Sequence, residues 1–334
     1  MRGRAVYFVG PERVEVRDRD VPEPDSNEVR VNTRLSAVSS GTELLIYRGE
    51  APTSLKTDES IAALDGDLSF PLRYGYAAVG EIEAVGDDIS PSLVGTRVFA
   101  FNPHESRFLA EPQSLRHIPQ DVSDERAALL PTMETAVNFV MDGNPLIGER
   151  VTVFGQGVVG LATTALLSKF PLEHLTVVDR IAERRQLALE FGADRALAPT
   201  ELAETEDIGH SDLTFELSGN PSALDDALDV TRYDGRVIVG SWYGTKPVTL
   251  DLGGRFHRSR IHVESSQVST IEPDLRGRWD TDRRFDLAWD HLRDLRLDAL
   301  VTHRVDVSNA PQAYQLLEDD PDEAVQILFT YGNN

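Results

Sequence analysis

The chain has 334 residues, contains no cysteine and carries a formal net charge of −23. This length allows two domains with sizeable cores, and the lack of cysteine excludes disulfides, thiol nucleophiles and cysteine-ligated zinc. The acidic balance argues against a nucleic-acid partner, because phosphate binding requires a basic face.

The distribution of charge indicates a salt-rich environment. Lys56, Lys169 and Lys246 are the only lysines, and the acidic residues are spread along the whole chain. Such a surface repels itself in dilute buffer and is screened in concentrated salt. We therefore expect the cytoplasm of an extreme halophile. An acidic protein from a GC-rich genome is the alternative. There is neither an apolar run of 18 residues nor a signal-peptide pattern, so no membrane span or export is predicted.

The first part of the chain predicts strands. The N-terminus is expected to open the first strand, and residues 29–35, 78–86 and 95–101 alternate or run as strands do. No helical pattern of real length is visible before residue 118. Residues 1–120 are therefore predicted to form a β-rich, barrel-like domain.

From residue 122 onwards, helices and strands alternate. Two helices are predicted near 124–130 and 133–141, with Ser123 as the N-cap of the first. Strands at 151–154, 175–178, 212–217 and 235–240 then alternate with helices at 158–169, 182–191 and 221–230, and residues 260–264 are expected to form a last strand. This order predicts an α/β fold with a doubly wound parallel sheet over residues 121–268.

A glycine fingerprint lies within this α/β region. Gly155, Gly157 and Gly160 form G-x-G-x-x-G directly after a strand and at the start of a helix. Gly155 permits the turn, Gly157 lets backbone N–H groups approach a pyrophosphate, and Gly160 allows close packing of the helix. The helix N-terminus then directs its positive dipole end at the phosphates. The pattern predicts a bound nicotinamide dinucleotide.

The residue after the next strand bears on the choice of cofactor. Asp179 can accept hydrogen bonds from the adenosine ribose hydroxyls and would repel a 2′-phosphate, which favours NAD over NADP. Arg180 follows directly and could instead pair with a 2′-phosphate. The remaining segment, residues 269–334, predicts helices near 283–293 and 309–317 and a final strand near 324–331 that returns to the first domain.

Taken together, the motifs resemble those of the medium-chain dehydrogenase/reductase superfamily, the zinc alcohol dehydrogenase-like proteins. The resemblance covers essentially the whole chain, and the segments that carry it are 40–43, 75–81, 95–98, 151–160 and 187–194. It implies a GroES-like catalytic domain, a Rossmann domain, a return to the catalytic domain, and an active site in the cleft between them. It also implies a homodimer formed by edge-strand pairing of two Rossmann sheets, which we expect to involve residues 248–252.

The departures from the superfamily concern zinc. Zinc members carry Cys-Gly-Thr-Asp where this chain has Ser40-Gly41-Thr42-Glu43, and Gly-His-Glu where it has Gly75-Tyr76-Ala77. Their third ligand falls near Pro131, and the structural zinc lobe is absent. We therefore expect no zinc, as in a zinc-lacking branch that includes the bacteriochlorophyllide hydroxyethyl dehydrogenase type. A non-standard metal site from Glu43, His104 and Glu105 is the alternative.

Without zinc, hydrogen-bond donors must stabilise the oxygen that develops charge during hydride transfer. Thr42 matches the superfamily's proton-relay hydroxyl, and Tyr76 replaces a metal-ligating histidine. Both are predicted to be catalytic. Alternatively, Tyr76 is a packing residue that fills the space a metal would occupy. Thr42 is alternatively a turn residue.

The predicted cofactor-binding residues lie in four segments of the chain. Arginines flank the last segment and could bind an anionic substrate group or the pyrophosphate, although pairing with internal acids is the alternative. The cofactor set consists of Gly155, Gln156, Gly157, Val158, Val159, Gly160, Asp179, Arg180, Ser218, Gly219, Ser265, Ser266 and Gln267.

These features predict an NAD(H)-dependent, zinc-independent oxidoreductase that acts on a small-molecule alcohol or carbonyl. Two other functions stay open. One is an NADPH-dependent quinone- or enoyl-type reductase. The other is a non-catalytic dinucleotide-binding or redox-sensing protein. The sequence names neither the substrate nor the preferred direction.

Overall fold

The computed structural model describes residues 1–58, 61–202 and 210–332. Contacts between Cα atoms divide the chain into two compact units. The first unit comprises Met1–Pro131 together with Leu292–Asn334, and the second comprises Thr132–His291. The domain limits at residues 120 and 268 stay predictions. No helix among the described residues is both long and apolar enough to cross a bilayer.

The strands in chain order are β1 (Arg2–Gly10), β2 (Arg13–Asp20), β3 (Val29–Ala37), β4 (Ala78–Val85), β5 (Arg97–Ala100), β6 (Arg107–Ala110), β7 (Leu115–His117), β8 (Arg150–Phe154), β9 (His174–Val178), β10 (Arg195–Leu197), β11 (Ser211–Glu216), β12 (Thr231–Val239), β13 (His262–Ser265), β14 (Val301–Asp306) and β15 (Gln326–Thr330). The α-helices are α1 (Ser40–Arg48), α2 (Asp124–Ala128), α3 (Leu130–Gly143), α4 (Val158–Leu167), α5 (Ala182–Glu190), α6 (Pro199–Leu202), α7 (Pro221–Val230), α8 (Thr281–Asp294) and α9 (Ala310–Asp319).

The first unit is built on a sheet of seven strands, in which β14 and β15 are parallel and the other pairs are antiparallel. Its main order is β14-β15-β3-β4-β5-β7, and β6 also pairs with β3. β15 runs antiparallel to β3, so the final strand closes the sheet that the N-terminal part begins, as the sequence predicts. β1 and β2 form a separate hairpin. Apolar side chains from β1, α1 and α9 pack together as the main core of this unit.

The second unit is a six-stranded sheet in the order β10-β9-β8-β11-β12-β13, with every neighbouring pair parallel. The chain starts at β8 in the middle, moves outward to β10, and then returns across β8 to β11. This reversal is the switch point at which doubly wound sheets bind ligands, outside the carboxyl ends of the strands. The predicted α/β class with a parallel and a β-rich part is confirmed.

Local sequence explains most of these elements. β8 has the β-branched and aromatic residues of a central strand, and its last four side chains are buried. The side chain of Ser123 accepts from the N–H of Arg126, so this predicted N-cap is confirmed. α7 begins with Pro221 after the N-cap Asn220.

Two expectations were wrong. The first 118 residues contain a nine-residue helix, α1, although no helical pattern of real length was expected there. Glu43 in its first turn and the left-handed Gly49 after its last residue mark its two ends. Residues 248–252 form no strand within the single chain, where an edge strand was expected. The edge strands of the parallel sheet are β10 and β13.

Candidate active site

Three hydroxyl groups meet in the first unit. Ser39 precedes α1, Thr42 lies in the first turn of that helix, and Tyr76 lies two residues before β4. The phenol of Tyr76 donates a hydrogen bond to Ser39 Oγ, and its oxygen lies 3.5 Å from Thr42 Oγ1. The structure therefore brings the two predicted catalytic side chains together and adds Ser39 to them.

Burial controls the protonation of the Tyr76 phenol. Loss of solvent raises its pKa above the ordinary value, while the hydrogen bonds with Ser39 and Thr42 act in the opposite direction. The negative charges of Glu43 and Asp58 raise the pKa further. The phenol is therefore neutral at physiological pH, where it can donate a hydrogen bond but is a poor proton acceptor.

A buried carboxylate supports this hydroxyl cluster. Glu43 is completely buried, and its Oε1 accepts from the backbone N–H of Ser39 at 2.7 Å. Its Oε2 lies 3.0 Å from Nε2 of His104 and also accepts from the hydroxyl of Tyr314. A buried charge requires such partners, and here they fix the start of α1, which carries Ser39 and Thr42.

His104 connects this carboxylate to a second set of hydroxyls. Its Nδ1 lies 2.7 Å from Ser36 Oγ, which lies 2.8 Å from the hydroxyl of Tyr331. The imidazole also explains the glycine before Tyr76. Gly75 has φ +109°, and a Cβ at this position would lie 2.7 Å from the His104 ring. Glycine at position 75 thus lets Tyr76 and the buried histidine occupy adjacent positions.

The alternative metal set is only partly brought together. Glu43 and His104 are in contact, but Glu105 points to Arg19 and Arg73, with which it forms ion pairs. Within residues 1–58, 61–202 and 210–332, no group of three His, Cys, Asp or Glu side chains could hold a metal ion. The Glu43–His104 pair belongs to a hydrogen-bonded polar cluster.

The structure describes the three positions at which the sequence resemblance leads us to expect that zinc ligands are replaced. Ser40 is the first residue of α1, Tyr76 belongs to the hydroxyl cluster, and Pro131 lies in α3. A catalytic zinc site uses about three thiolate, imidazole or carboxylate ligands. Two hydroxyls and a proline do not fit that requirement.

The glycine fingerprint in the second unit connects β8 to α4. Gly155 has φ +86°, and a Cβ there would lie 2.5 Å from the Cα of Ser218. A Cβ on Gly160 would lie 1.9 Å from the carbonyl oxygen of Gly155. A Cβ on Gly157, in contrast, would meet nothing within 4 Å. The first and third glycines are required by packing, whereas the middle glycine borders open space.

The start of α4 presents backbone donors beside this open space. Gly157 is the N-cap, and the first helical hydrogen bond runs from the N–H of Leu161 to the Gly157 carbonyl. The N–H groups of Val158, Val159 and Gly160 therefore have no carbonyl partner within the helix, as at any helix start. Such groups and the helix dipole favour an anion.

Gln156 has a structural role within this loop. Its side chain is fully buried, and its Oε1 accepts from the hydroxyl of Thr164 in α4. Its side-chain nitrogen lies 3.4 Å from the carbonyl oxygen of Val153. The side chain therefore ties the glycine loop to the helix and does not face the open space.

Asp179 follows β9 beside the glycine loop. Its Oδ2 accepts from the N–H of Gln156 at 2.6 Å, and its Oδ1 accepts from the N–H of Ile181 at 2.8 Å. Each carboxylate oxygen has more than one acceptor position, so both can still accept from a ribose hydroxyl. The neighbouring Arg180 is exposed.

Ser218 and Gly219 lie just beyond β11 at the same edge of the sheet. The N–H and hydroxyl of Ser218 donate to Glu216, a fully buried carboxylate that also accepts from the hydroxyl of Tyr243. Gly219 has φ +69°, and its N–H donates to Ser241 Oγ at 2.8 Å. This region is ordered by hydrogen bonds that the sequence patterns did not reveal.

The segment after β13 is anchored through its middle residue. Ser265 is exposed at the end of the strand, whereas Ser266 is buried. The hydroxyl of Ser266 donates to Asp142 and accepts from Asn138 at 3.1 Å. Gln267 folds back, with its Oε1 accepting from a backbone N–H two residues later.

The arginines around this segment have internal partners. Arg255 donates to the carbonyl of Thr231, and Arg276 donates to that of Ile271. The guanidinium of Arg283 lies over an indole ring, 3.9 Å from its centroid, and Arg284 forms a buried ion pair. These contacts favour internal pairing over an anionic substrate group.

Part of the chain matches a known protein family, and most of it matches proteins named dehydrogenases. The family described as "Zinc-binding dehydrogenase" matches residues 158–282. D-guloside 3-dehydrogenase of Escherichia coli (strain K12) is 26% identical, with 95% of this chain and 96% of that protein covered. L-threonine 3-dehydrogenase of Pectobacterium atrosepticum is 26% identical over 75% of this chain and 76% of that protein.

A solved structure extends the likeness to the fold. The alcohol dehydrogenase RspB of E. coli CFT073, crystallised with NADH, superposes with a TM-score of 0.78 at 21% identity and covers 99% of both chains. These likenesses confirm the resemblance to the medium-chain dehydrogenase/reductase superfamily that was recognised from the sequence motifs. The relatives are named dehydrogenases, which supports the expected dehydrogenase-like oxidoreductase.

Sequence reasoning missed several residues of this site. Ser39 adjoins the quoted Ser-Gly-Thr-Glu motif, and the spacing of three between Ser40 and Glu43 was the available signal for a helix start there. Glu216 and Tyr243 are 27 residues apart, and no local spacing joins them. The partners of Arg284 are likewise distant in sequence.

Proposed function

We propose that this protein transfers hydride between NAD(H) and a small alcohol or carbonyl substrate without zinc. The observation that carries the proposal is the cluster of Ser39, Thr42 and Tyr76 hydroxyls, built where zinc members of the superfamily place a metal ligand. When bound, the nicotinamide supplies or accepts the hydride. The chain has to bind the reacting oxygen and handle its proton.

The Tyr76 phenol is suited to bind a carbonyl oxygen. Because burial raises its pKa, the phenol retains its proton and can stabilise charge that develops on that oxygen. The phenol now donates to Ser39, so a substrate oxygen would replace Ser39 as the acceptor. The hydroxyls of Ser39 and Thr42 can then donate to the phenol oxygen and return a proton to it, and solvent supplies the proton that these hydroxyls lose.

Features of the second unit support the proposal that the bound dinucleotide is NAD. Gly157 leaves space beside the free N–H groups at the start of α4, which suits a pyrophosphate. The Asp179 carboxylate, adjacent to the glycine loop, suits ribose hydroxyls and disfavours a 2′-phosphate. RspB, a protein with the same fold, was crystallised with NADH, which agrees with this assignment.

We also propose a homodimer and a salt-rich cytoplasmic environment. All four residues of the edge strand β13 are exposed, and pairing with a second copy would cover its free backbone groups. β13 replaces residues 248–252 as the expected pairing edge. The net charge of −23 supports adaptation to concentrated salt.

The substrate class follows from the relatives' names as a hypothesis. D-guloside 3-dehydrogenase and L-threonine 3-dehydrogenase are both named for oxidation at a carbon that bears a secondary hydroxyl. We therefore propose secondary alcohols, with hydroxylated amino acids and sugar glycosides as the first compounds to assay with NAD⁺.

Tyr76→Phe tests the catalytic proposal. Loss of a single donor to a developing oxyanion lowers kcat about 100- to 1,000-fold in comparable sites. Tyr74→Phe is the matched control, because Tyr74 is also buried and packs edge-on against the Tyr76 ring. Both variants are compared with the wild type for turnover and melting temperature in concentrated KCl. Unchanged turnover of Tyr76→Phe would remove the phenol from the mechanism.

The same assays separate the other functions. Turnover of activated C=C substrates with NADPH, and none of alcohols with NAD⁺, would support a quinone- or enoyl-type reductase. Tight dinucleotide binding without any turnover would support a sensing role.

A further inference from the structure

Arg284 is an unusually well-satisfied buried cation in the second unit. It lies in the first turn of α8 and is 1% exposed. Its Nε and Nη2 donate to Glu134 Oε1 at 3.2 and 2.8 Å, and its Nη1 donates to Asn138 Oδ1 at 2.5 Å. Glu134 and Asn138 lie one turn apart on α3, so Arg284 joins two helices.

The remaining two N–H groups of the Arg284 guanidinium donate to backbone carbonyls in the segment after β13. Nη2 donates to the carbonyl of Val268 at 2.5 Å, and Nη1 donates to that of Thr270 at 3.5 Å. All five N–H groups of Arg284 are therefore used, and two of them hold backbone carbonyls of one loop. A buried ion pair alone would not need these contacts.

A second route connects the same cation to the same loop. Asn138, which accepts from Arg284, donates through Nδ2 to Ser266 Oγ at 3.1 Å and to Asp142 at 2.8 Å. Ser266 also donates to Asp142. Residues 266–270 are thus held at three points, namely Ser266, Val268 and Thr270, and each point leads back to Arg284.

We propose that Arg284 is a positioning residue that fixes residues 266–270 for binding the nicotinamide end of the cofactor. The inference rests on the proposed function, NAD(H)-dependent hydride transfer, and on the prediction that Ser265, Ser266 and Gln267 bind the cofactor. Arg284 does not touch the cofactor itself in this account. It acts through Ser266, Val268 and Thr270, whose positions the planar guanidinium and Asn138 determine.

The chemistry of arginine explains why lysine could not replace it. A lysine ammonium has three donors and no planar fork, so it could keep the charge pair with Glu134 but not all five contacts. The loop carbonyls of Val268 and Thr270 would lose their donor first, because the shorter amine would remain with the carboxylate. Arg284→Lys therefore releases the loop while leaving the buried charge balanced.

The test compares NADH with ADP-ribose, which has the same adenosine and pyrophosphate but lacks the nicotinamide. Arg284→Lys is expected to weaken NADH binding about tenfold, equivalent to about 1.4 kcal/mol, and to leave ADP-ribose binding unchanged. Arg236→Lys is the matched control. Arg236 also pairs with a glutamate, Glu149, and donates to the carbonyl of Gly143, but it lies opposite His262, the first residue of β13, and not beside the segment that follows β13.

A second variant covers the case in which Arg284→Lys does not fold. Asn138→Ala leaves the Arg284–Glu134 pair in place and removes the link to Ser266, so it should also weaken NADH binding selectively. Equal losses for both ligands, or no loss for either, would overturn the inference. A wild type that binds ADP-ribose but gains nothing from the nicotinamide, or binds neither ligand, would instead overturn the proposed function.

Discussion

Replacing Gly157 by alanine should weaken cofactor binding without weakening the fold. Gly157 has φ −70° and ψ −175°, which alanine adopts freely, and the added Cβ would meet no atom within 4 Å. Such a glycine-to-alanine change stabilises a protein by about 0.4–1 kcal/mol, because the unfolded chain loses freedom. The melting temperature should therefore stay the same or rise slightly.

The same methyl group would occupy the space proposed for the pyrophosphate. Displacing a phosphate from one backbone N–H at the start of α4 costs about 1.5–3 kcal/mol, the range for hydrogen bonds to charged groups. At about 1.4 kcal/mol per factor of ten, the Kd for NADH should rise by one to two orders of magnitude.

Gly160→Ala is the contrasting variant. Its Cβ would lie 1.9 Å from the carbonyl oxygen of Gly155, so α4 or the glycine loop would have to shift. Overpacking of this kind costs about 1–3 kcal/mol, or more where the backbone cannot move. This variant should lose both NADH affinity and several degrees of melting temperature.

The two variants are assayed together by NADH titration and thermal unfolding in the same KCl buffer. The reasoning predicts a binding defect alone for Gly157→Ala and a combined defect for Gly160→Ala. Wild-type NADH affinity in Gly157→Ala would show that no pyrophosphate approaches this residue. A wild-type melting temperature in Gly160→Ala would refute the packing argument.

Three further predictions concern cofactor choice, assembly and salt. Asp179→Asn should reduce the preference for NADH over NADPH, because a carboxylate that repels a 2′-phosphate is removed. Parallel titrations measure this preference, and an unchanged ratio would assign the selection elsewhere. Val263→Lys, on the exposed edge strand β13, should convert a dimer into a monomer in analytical ultracentrifugation, whereas an unchanged mass would exclude this edge. Lowering KCl from several molar to about 0.1 M lengthens the Debye length from about 3 Å or less to about 10 Å, so the net charge of −23 should lower the melting temperature. A melting temperature independent of KCl would contradict the proposed adaptation.

The parallel sheet could be predicted because its signals are local. β8, the three glycines and α4 are consecutive, and each segment has the composition of its element. The helix α1 was missed because its apolar residues show only weak helical periodicity and because strands flank it in the sequence. Only its capping residues reveal it. The last strand, expected at residues 260–264, was found at His262–Ser265, whereas residues 248–252, expected as a pairing edge, form no strand in the chain by itself.

The site was predictable only where a motif carries it. Thr42 and Tyr76 were found by their positions in short motifs, and the structure places their hydroxyl oxygens 3.5 Å apart. The supporting network was not predictable, because Glu43 contacts His104 and Tyr314, which lie 61 and 271 residues away. Such pairings depend on the seven-stranded sheet and the return of the C-terminal segment, which no local pattern encodes.

The central claim is that the second unit binds NAD(H). All three tryptophans, at positions 242, 279 and 289, lie within that unit, so energy transfer from tryptophan to the reduced nicotinamide is a direct measurement. The purified protein is titrated with NADH and with NADPH in multimolar KCl. The account predicts saturable energy transfer with tighter binding of NADH. Binding of neither nucleotide would contradict the account.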